Sequence, residues 1–156
     1  MQRRVALEAG RVVPAPPEEV FAFLSDLRNH WRLEDRFVEF GGLEGSGPHG
    51  PTGGRVRIRG RLGLSRMART RVLAAEVPGS GPGELSGRTD IGRRTVGLVA
   101  WRIERHPHGS LDTLSAHVES ATLADRLLLA LGGRRWLARI FASALDRLAV
   151  LMQRPG

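Results

Sequence analysis

The chain has 156 residues, 41% of them hydrophobic, a size that suits one domain burying roughly two-thirds of its unfolded surface. It contains no cysteine, which excludes disulfides, thiolate metal sites and a cysteine nucleophile. All 24 basic residues are arginine, which excludes a lysine Schiff base, a P-loop and a lysine-assisted serine nucleophile, while the net charge of +8 keeps anionic partners in view.

Residues 4 to 14 predict a strand, with Val5, Leu7, Ala9 and Val13 in one alternating phase. Glu8, Gly10 and Arg11 interrupt any signal-peptide core, and no apolar run approaches about 18 residues, so a cytoplasmic protein without a transmembrane segment is expected. The strand exits at Pro14-Ala15-Pro16-Pro17, and a helix over 17–25 follows with Glu18 and Glu19 in its first turn. Proline suits a first helical turn because its missing N–H has no use there, and the helix dipole favours the two acids. A second short helix over 27–32 contains Asn29, His30 and Trp31.

After a possible strand at 36–40, the glycine- and proline-rich stretch Gly41 to Gly54 predicts a turn or mobile loop. Arg55-Val56-Arg57-Ile58-Arg59-Gly60-Arg61-Leu62 then alternates cleanly, arginine on one face and mostly apolar residues on the other. Strands over 66–77, 84–92, 94–105 and 111–120 follow, separated by the turns Pro78 to Gly83 and His106-Pro107-His108-Gly109, which suggests an antiparallel meander. From Leu123 to Met152 the chain is helical, with a bend placed at Gly132-Gly133. Beyond it Leu137, Ile140, Phe141, Ala144, Leu145, Leu148 and Met152 recur on one side, opposite Arg135, Arg139, Ser143, Asp146 and Arg147.

Few motifs in the chain carry chemistry. Gly45-Ser46-Gly47-Pro48-His49-Gly50 satisfies G-x-G-x-x-G, but it leads into a strand, whereas dinucleotide binding needs it to open a helix. His106 and His108 flank a proline in a turn and lack a third ligand, so they read as exposed turn histidines and no metal is expected. Asp26, His30, Asp90, Arg102, Asp112, His117 and Glu119 supply acid/base chemistry only if several of them meet; solvated sheet residues is the preferred reading, with His117 and Glu119 on the outer face. His30 is the exception and the one weak catalytic candidate.

Val13-Pro14-Ala15-Pro16-Pro17-Glu18-Glu19-Val20-Phe21 with Leu24-Ser25-Asp26, then Trp101-Arg102-Ile103 before the Gly109 turn and the strand Thr113 to Glu119, carry a resemblance to a known family. Together with the element order, these residues resemble the START-like SRPBCC superfamily, particularly its polyketide cyclase/dehydrase-like branch, across nearly the whole of residues 1–156 as a single domain. The resemblance implies an α+β helix-grip fold: a curved antiparallel sheet of about seven strands wrapped around a long C-terminal helix, with two short helices after the first strand and an apolar cavity between sheet and helix. It assigns Val56, Ile58, Met67, Trp101, Leu114, Ala116 and Val118 to the concave sheet face, Trp136, Ile140, Phe141 and Ala144 to the helix side, and Trp31, Phe37 and Phe40 to the entrance.

The expected function is binding of a small hydrophobic or amphipathic molecule, lipid- or polyketide-like, without a cofactor, by a monomer or homodimer. The Gly41 to Gly54 loop, the second helix and the Gly132-Gly133 bend are the candidate gates. A polyketide cyclase, aromatase or dehydratase is the alternative, and its mark is an ionisable group aimed into the cavity. The third reading is an interaction module using a basic face of Arg55, Arg57, Arg59 and Arg61 with Arg69 and Arg71. No aromatic residues interleave that face, which disfavours nucleic acid and leaves peripheral contact with an anionic membrane open.

Overall fold

The computed structural model describes residues 6–33, 38–45, 47, 51–59 and 65–153 and, within them, all side chains except those of Ala6, Trp31, Val38 and Phe40. The expectations for Phe37 and Arg61, for the side chains of Trp31 and Phe40, and for most of the G-x-G-x-x-G stretch lie outside the described residues. The elements in chain order are β1 (Ala6–Val13), α1 (Pro17–Ser25), α2 (Leu27–Leu33), β2 (Val38–Glu44), β3 (Gly53–Arg59), β4 (Ser65–Glu76), β5 (Gly83–Ile91), β6 (Thr95–His106), β7 (Gly109–Ser120), α3 (Leu123–Leu128), a π-helical turn (Leu129–Gly133) and α4 (Arg134–Met152).

The strands form one antiparallel sheet in the order β1-β7-β6-β5-β4-β3-β2. Because β1 and β2 are opposite edges, α1 and α2 must carry the chain across the sheet between them. Pro17 opens α1, as the proline run predicts, and Val20, Phe21 and Leu24 are buried from it. The α1–α2 junction is tightly bonded. Asp26 accepts from the backbone N–H of Arg28 at 3.1 Å, an N-cap for α2, while Asn29 and His30 donate to the last α1 carbonyls, of Phe23 at 2.8 Å and Leu24 at 2.6 Å. Helix-end groups that would otherwise lack partners are satisfied on both sides of the corner.

One sequence expectation fails in the middle of the chain. Gly41 and Gly42 do not begin a loop; β2 runs through them to Glu44, and β3 already starts at Gly53. The pairing slips between Phe40 and Gly42, and a side chain at Gly41 would sit 2.9 Å from the Arg55 carbonyl oxygen. These glycines make a bulge in an edge strand, where a close backbone approach and an irregular residue are both required. Further register shifts fall between Val72 and Ala74 in β4 and between Val96 and Gly97 in β6.

Helix α4 buries Ile140, Phe141, Ala144, Leu145, Leu148 and Ala149, the face its spacing predicts, and packs against β1, β7 and α2. Arg11 of β1 pairs with Asp146 across that contact. The helical run is broken at Leu131 and Gly132, whose φ is +115°. The preceding helix, α3, is held by its buried face: Thr122 caps it, and Asp125 accepts from the Thr95 hydroxyl and pairs with Arg66 of β4. Burial alone would raise the Asp125 pKa, but the Thr95 hydroxyl and the Arg66 guanidinium overcome it and hold the carboxyl below its ordinary range.

Candidate ligand cavity

The sheet's inner face is set by pairing register. Val56 lies opposite Ala68, Thr70 opposite Thr89, Thr89 opposite Gly97, Val99 opposite Ala116, and Trp101 between Leu85 and Leu114. Side chains directly opposite on neighbouring strands share a face. Between this face and helices α2 and α4 lies a cavity of about 240 Å³. The sheet contributes Val56, Ile58, Thr70, Val72, Leu85, Ser86, Thr89, Ile91, Gly97, Val99, Trp101, Leu114, Ala116 and Val118, with Arg71, Gly87 and His117 also bordering it; the helices contribute Leu27, His30, Leu33, Leu137, Ile140 and Phe141. The wall is mainly apolar, so it rewards apolar ligand surface by removing it from water.

Of the residues assigned to the cavity from sequence, Val56, Ile58, Trp101, Leu114, Ala116, Val118, Ile140 and Phe141 border it. Three described ones do not. Met67 is 52% exposed, because it pairs with Arg57 on the outer face while its neighbour Ala68 pairs with Val56 inside. Residues 66–77 are apolar in both phases, so only the pairing partner decides the face. Ala144 is fully buried, one turn of α4 beyond Phe141, where the core has closed over the helix. Trp136 packs at the edge of the same core and is not part of the wall.

The sequence reading missed Leu27, Leu33, Val72, Leu85, Ile91, Val99 and Leu137, and with them the polar pair Thr70 and Thr89. The available signal was parity. Thr70 shares a phase with Ala68 and Val72, and Thr89 with Leu85 and Ile91, but the phase could be oriented only through register.

His30 is the polar group best defined by its surroundings. Its ring meets Trp101 edge to face, with centroids 6.2 Å apart and planes at 84°. A carbonyl oxygen can only accept, so the 2.6 Å contact to Leu24 puts the ring proton on Nε2. Burial lowers the His30 pKa, outweighing the Leu24 carbonyl and the Asp26 charge that favour protonation. The ring is therefore neutral at pH 7, and Nδ1, which accepts from no described residue, is a bare hydrogen-bond acceptor on the side away from Leu24.

The other candidate groups are dispersed. Asp26 is bound by Arg28, Asp90 by Arg88, and Arg102 by Glu104; His117 and Glu119 are exposed. His106 Nδ1 accepts from the His108 N–H at 3.1 Å, and no cluster of three or more His, Asp or Glu among the described residues could hold a metal ion. Asp112 departs from the solvated reading. Its side chain is wholly buried on the inner phase of β7, outside the cavity wall, where Ser110 donates to one oxygen at 3.2 Å and the other has no partner. On the outer face, Arg55 and Arg69 both bind Glu44, Arg59 approaches Glu39 at 3.8 Å, and Arg57 and Arg71 have no carboxylate partner among the described residues.

A sheet gripping a long C-terminal helix, with an apolar cavity between them, defines a helix-grip fold. The chain belongs to the family described as polyketide cyclase/dehydrase and lipid transport, whose model matches residues 4–153. Solved structures share the fold. A START superfamily protein from Mycobacterium smegmatis is 17% identical at a TM-score of 0.66, covering 95% of this chain and 98% of that one. A protein from Rhodobacter sphaeroides is 22% identical at 0.64, covering 94% and 91%, and an uncharacterized protein from Rhizobium leguminosarum is 19% identical at 0.63, covering 98% and 97%. No curated protein matches the chain. Among the described residues, no helix is long and apolar enough to cross a membrane.

Proposed function

We propose that this chain, folded as one domain, binds a small, mostly apolar molecule bearing a hydrogen-bonding group in the cavity between the sheet and helices α2 and α4. The observation that carries this reading is the wall itself: a mainly apolar surface bordered by His30, whose Nδ1 has no partner among the described residues, and by Thr70 and Thr89, paired across β4 and β5 and likewise without a side-chain partner there. A volume of about 240 Å³ falls just below the roughly 300–1,000 Å³ of sites for drug-sized ligands, which favours a single ring system or short chain over an intact phospholipid.

Gly97 provides the test. It lies on the wall, and a Cβ built there meets only the His117 carbonyl oxygen, at 3.8 Å. Gly97→Phe is expected to fill the cavity, lowering the affinity of an uncharged fluorescent naphthylamine at least about tenfold while leaving the unfolding free energy from urea titration within roughly 1 kcal/mol of the parent. Unchanged probe binding by a folded Gly97→Phe protein would refute the cavity as the binding site.

His30 sets the polar preference. With Nδ1 as acceptor, naphthol should bind more tightly than naphthalene, and His30→Phe, which keeps an aromatic ring beside Trp101, should reduce that ratio about five- to tenfold. Because the readout is a ratio between two ligands in one protein, a general loss of stability does not mimic it. A second reading, cyclase- or dehydratase-type catalysis, is favoured by the same atom, since a neutral imidazole is competent as a general base. Among the described cavity residues no carboxylate joins it, and binding is accordingly the first reading.

A further inference from the structure

Leu123, Leu127, Leu128 and Leu131 are 81, 59, 54 and 74% exposed. Their spacing over α3 and the π-helical turn puts them on one side of the helix. That side is held outward, because the opposite face is fixed by Asp125, which is 5% exposed and bound to Arg66 and Thr95. Rotating the leucines inward would strip the buried Asp125 carboxylate of its bonds to Thr95 and to the half-exposed Arg66.

The charge around this face is mainly positive: Glu119 lies exposed four residues before Leu123, and Asp146, beyond the stretch, is paired with Arg11. From Thr122 to Leu145 the only acid is Asp125, already engaged inside, whereas Arg126, Arg134, Arg135 and Arg139 lie along the same stretch. Arg126, Arg135 and Arg139 are exposed and have no carboxylate partner among the described residues. We propose that this leucine face docks onto an anionic lipid surface, with the leucines entering the acyl boundary and the arginines meeting headgroup phosphates. A second copy fits less well. It would bring the same arginines together, with the exposed Glu119 as the one acid close in sequence to set against them. The docking stands independently of what fills the cavity.

The test is co-sedimentation of the full chain with vesicles of phosphatidylcholine containing roughly one-third phosphatidylglycerol, against phosphatidylcholine alone. Binding should favour the anionic vesicles and weaken steeply with salt. Leu127→Ser with Leu131→Ser should cut partitioning at least about tenfold, while Arg126→Gln with Arg135→Gln should remove the anionic preference. Arg57→Gln, on the outer sheet face, should change binding by less than about twofold. Circular dichroism and naphthylamine binding, run on each variant, separate lost docking from a lost fold or a lost cavity. The proposal is overturned if the parent does not bind anionic vesicles, if the leucine variant binds as well as the parent, or if sedimentation velocity shows the leucines holding a dimer that lacks vesicle affinity.

Discussion

Gly109→Ala is expected to cost about 4 kcal/mol, a large share of the roughly 5–15 kcal/mol that holds a domain of this size folded. Gly109 opens β7 at φ +133°, a conformation that L side chains rarely adopt. It also faces the exit of β1: an added Cβ would lie 2.2 Å from the Val13 carbonyl oxygen and 2.7 Å from the Ala15 amide nitrogen. Both are backbone atoms within the turn closed by the Ala15 N–H to Val13 bond of 2.8 Å, so neither can yield without moving β1 or α1. Backbone strain and a backbone clash add at this position. Gly92 is the matched control, since its φ is +62° but nothing lies within 4 Å of a Cβ there. Gly92→Ala should cost only about 1 to 2 kcal/mol. Urea unfolding of the two variants decides the matter, and equal midpoints would mean that the contact with β1 is unimportant.

The second large effect is on pH dependence. Burial raises the Asp112 pKa from the ordinary 3.8 to about 7, against the smaller opposing effect of the Ser110 hydroxyl. Its cross-strand neighbours are Ile103 and Arg11, and Arg11 is drawn away to Asp146 on α4. A carboxyl whose folded pKa is raised stays protonated in the folded state while the unfolded chain has released its proton. Stability therefore falls as pH rises from about 4 to about 7, by roughly 1.4 kcal/mol per unit and on the order of 4 kcal/mol in all, and is level above that. Asp26 and Asp125, whose pKa values are lowered in the folded protein, act in the opposite sense and withdraw stability only as pH drops below about 4. Asp112→Asn should abolish most of the slope between pH 4.5 and 7.5 and raise the urea midpoint at pH 8. A parent protein whose stability does not decline over that interval would show that Asp112 ionises freely in the folded state.

Asp112 also shows why part of the chemistry was hidden. Its parity with Leu114 places it on the inner phase, but an aspartate in an alternating strand carries no sign of whether a cation will reach it. The nearest one, Arg11, was claimed by a helix 135 residues away along the chain. Thr70 and Thr89 were hidden in a similar way: each is an unremarkable strand residue, and they become a polar pair in an apolar wall only when β4 and β5 are set side by side. Met67 was misplaced because local pattern allowed both phases of β4. His30 was visible as a residue of interest, yet its tautomer follows from the Leu24 carbonyl, which only the corner between α1 and α2 supplies.

Element order and the covering faces were legible in the chain before any folding. The proline run and paired acids started α1, period-two alternation marked β3, and the repeat from Leu137 to Met152 fixed the buried side of α4, because these are local properties of backbone and hydrophobic spacing. Strand partners, the bulge at Gly41 and Gly42, the cavity's polar atoms and the outward hold on the α3 leucines were decided only by tertiary structure. Each depends on register, or on a partner distant in sequence: one residue of slip reverses every side chain of a strand, and a buried charge is tolerated only where a remote residue answers it.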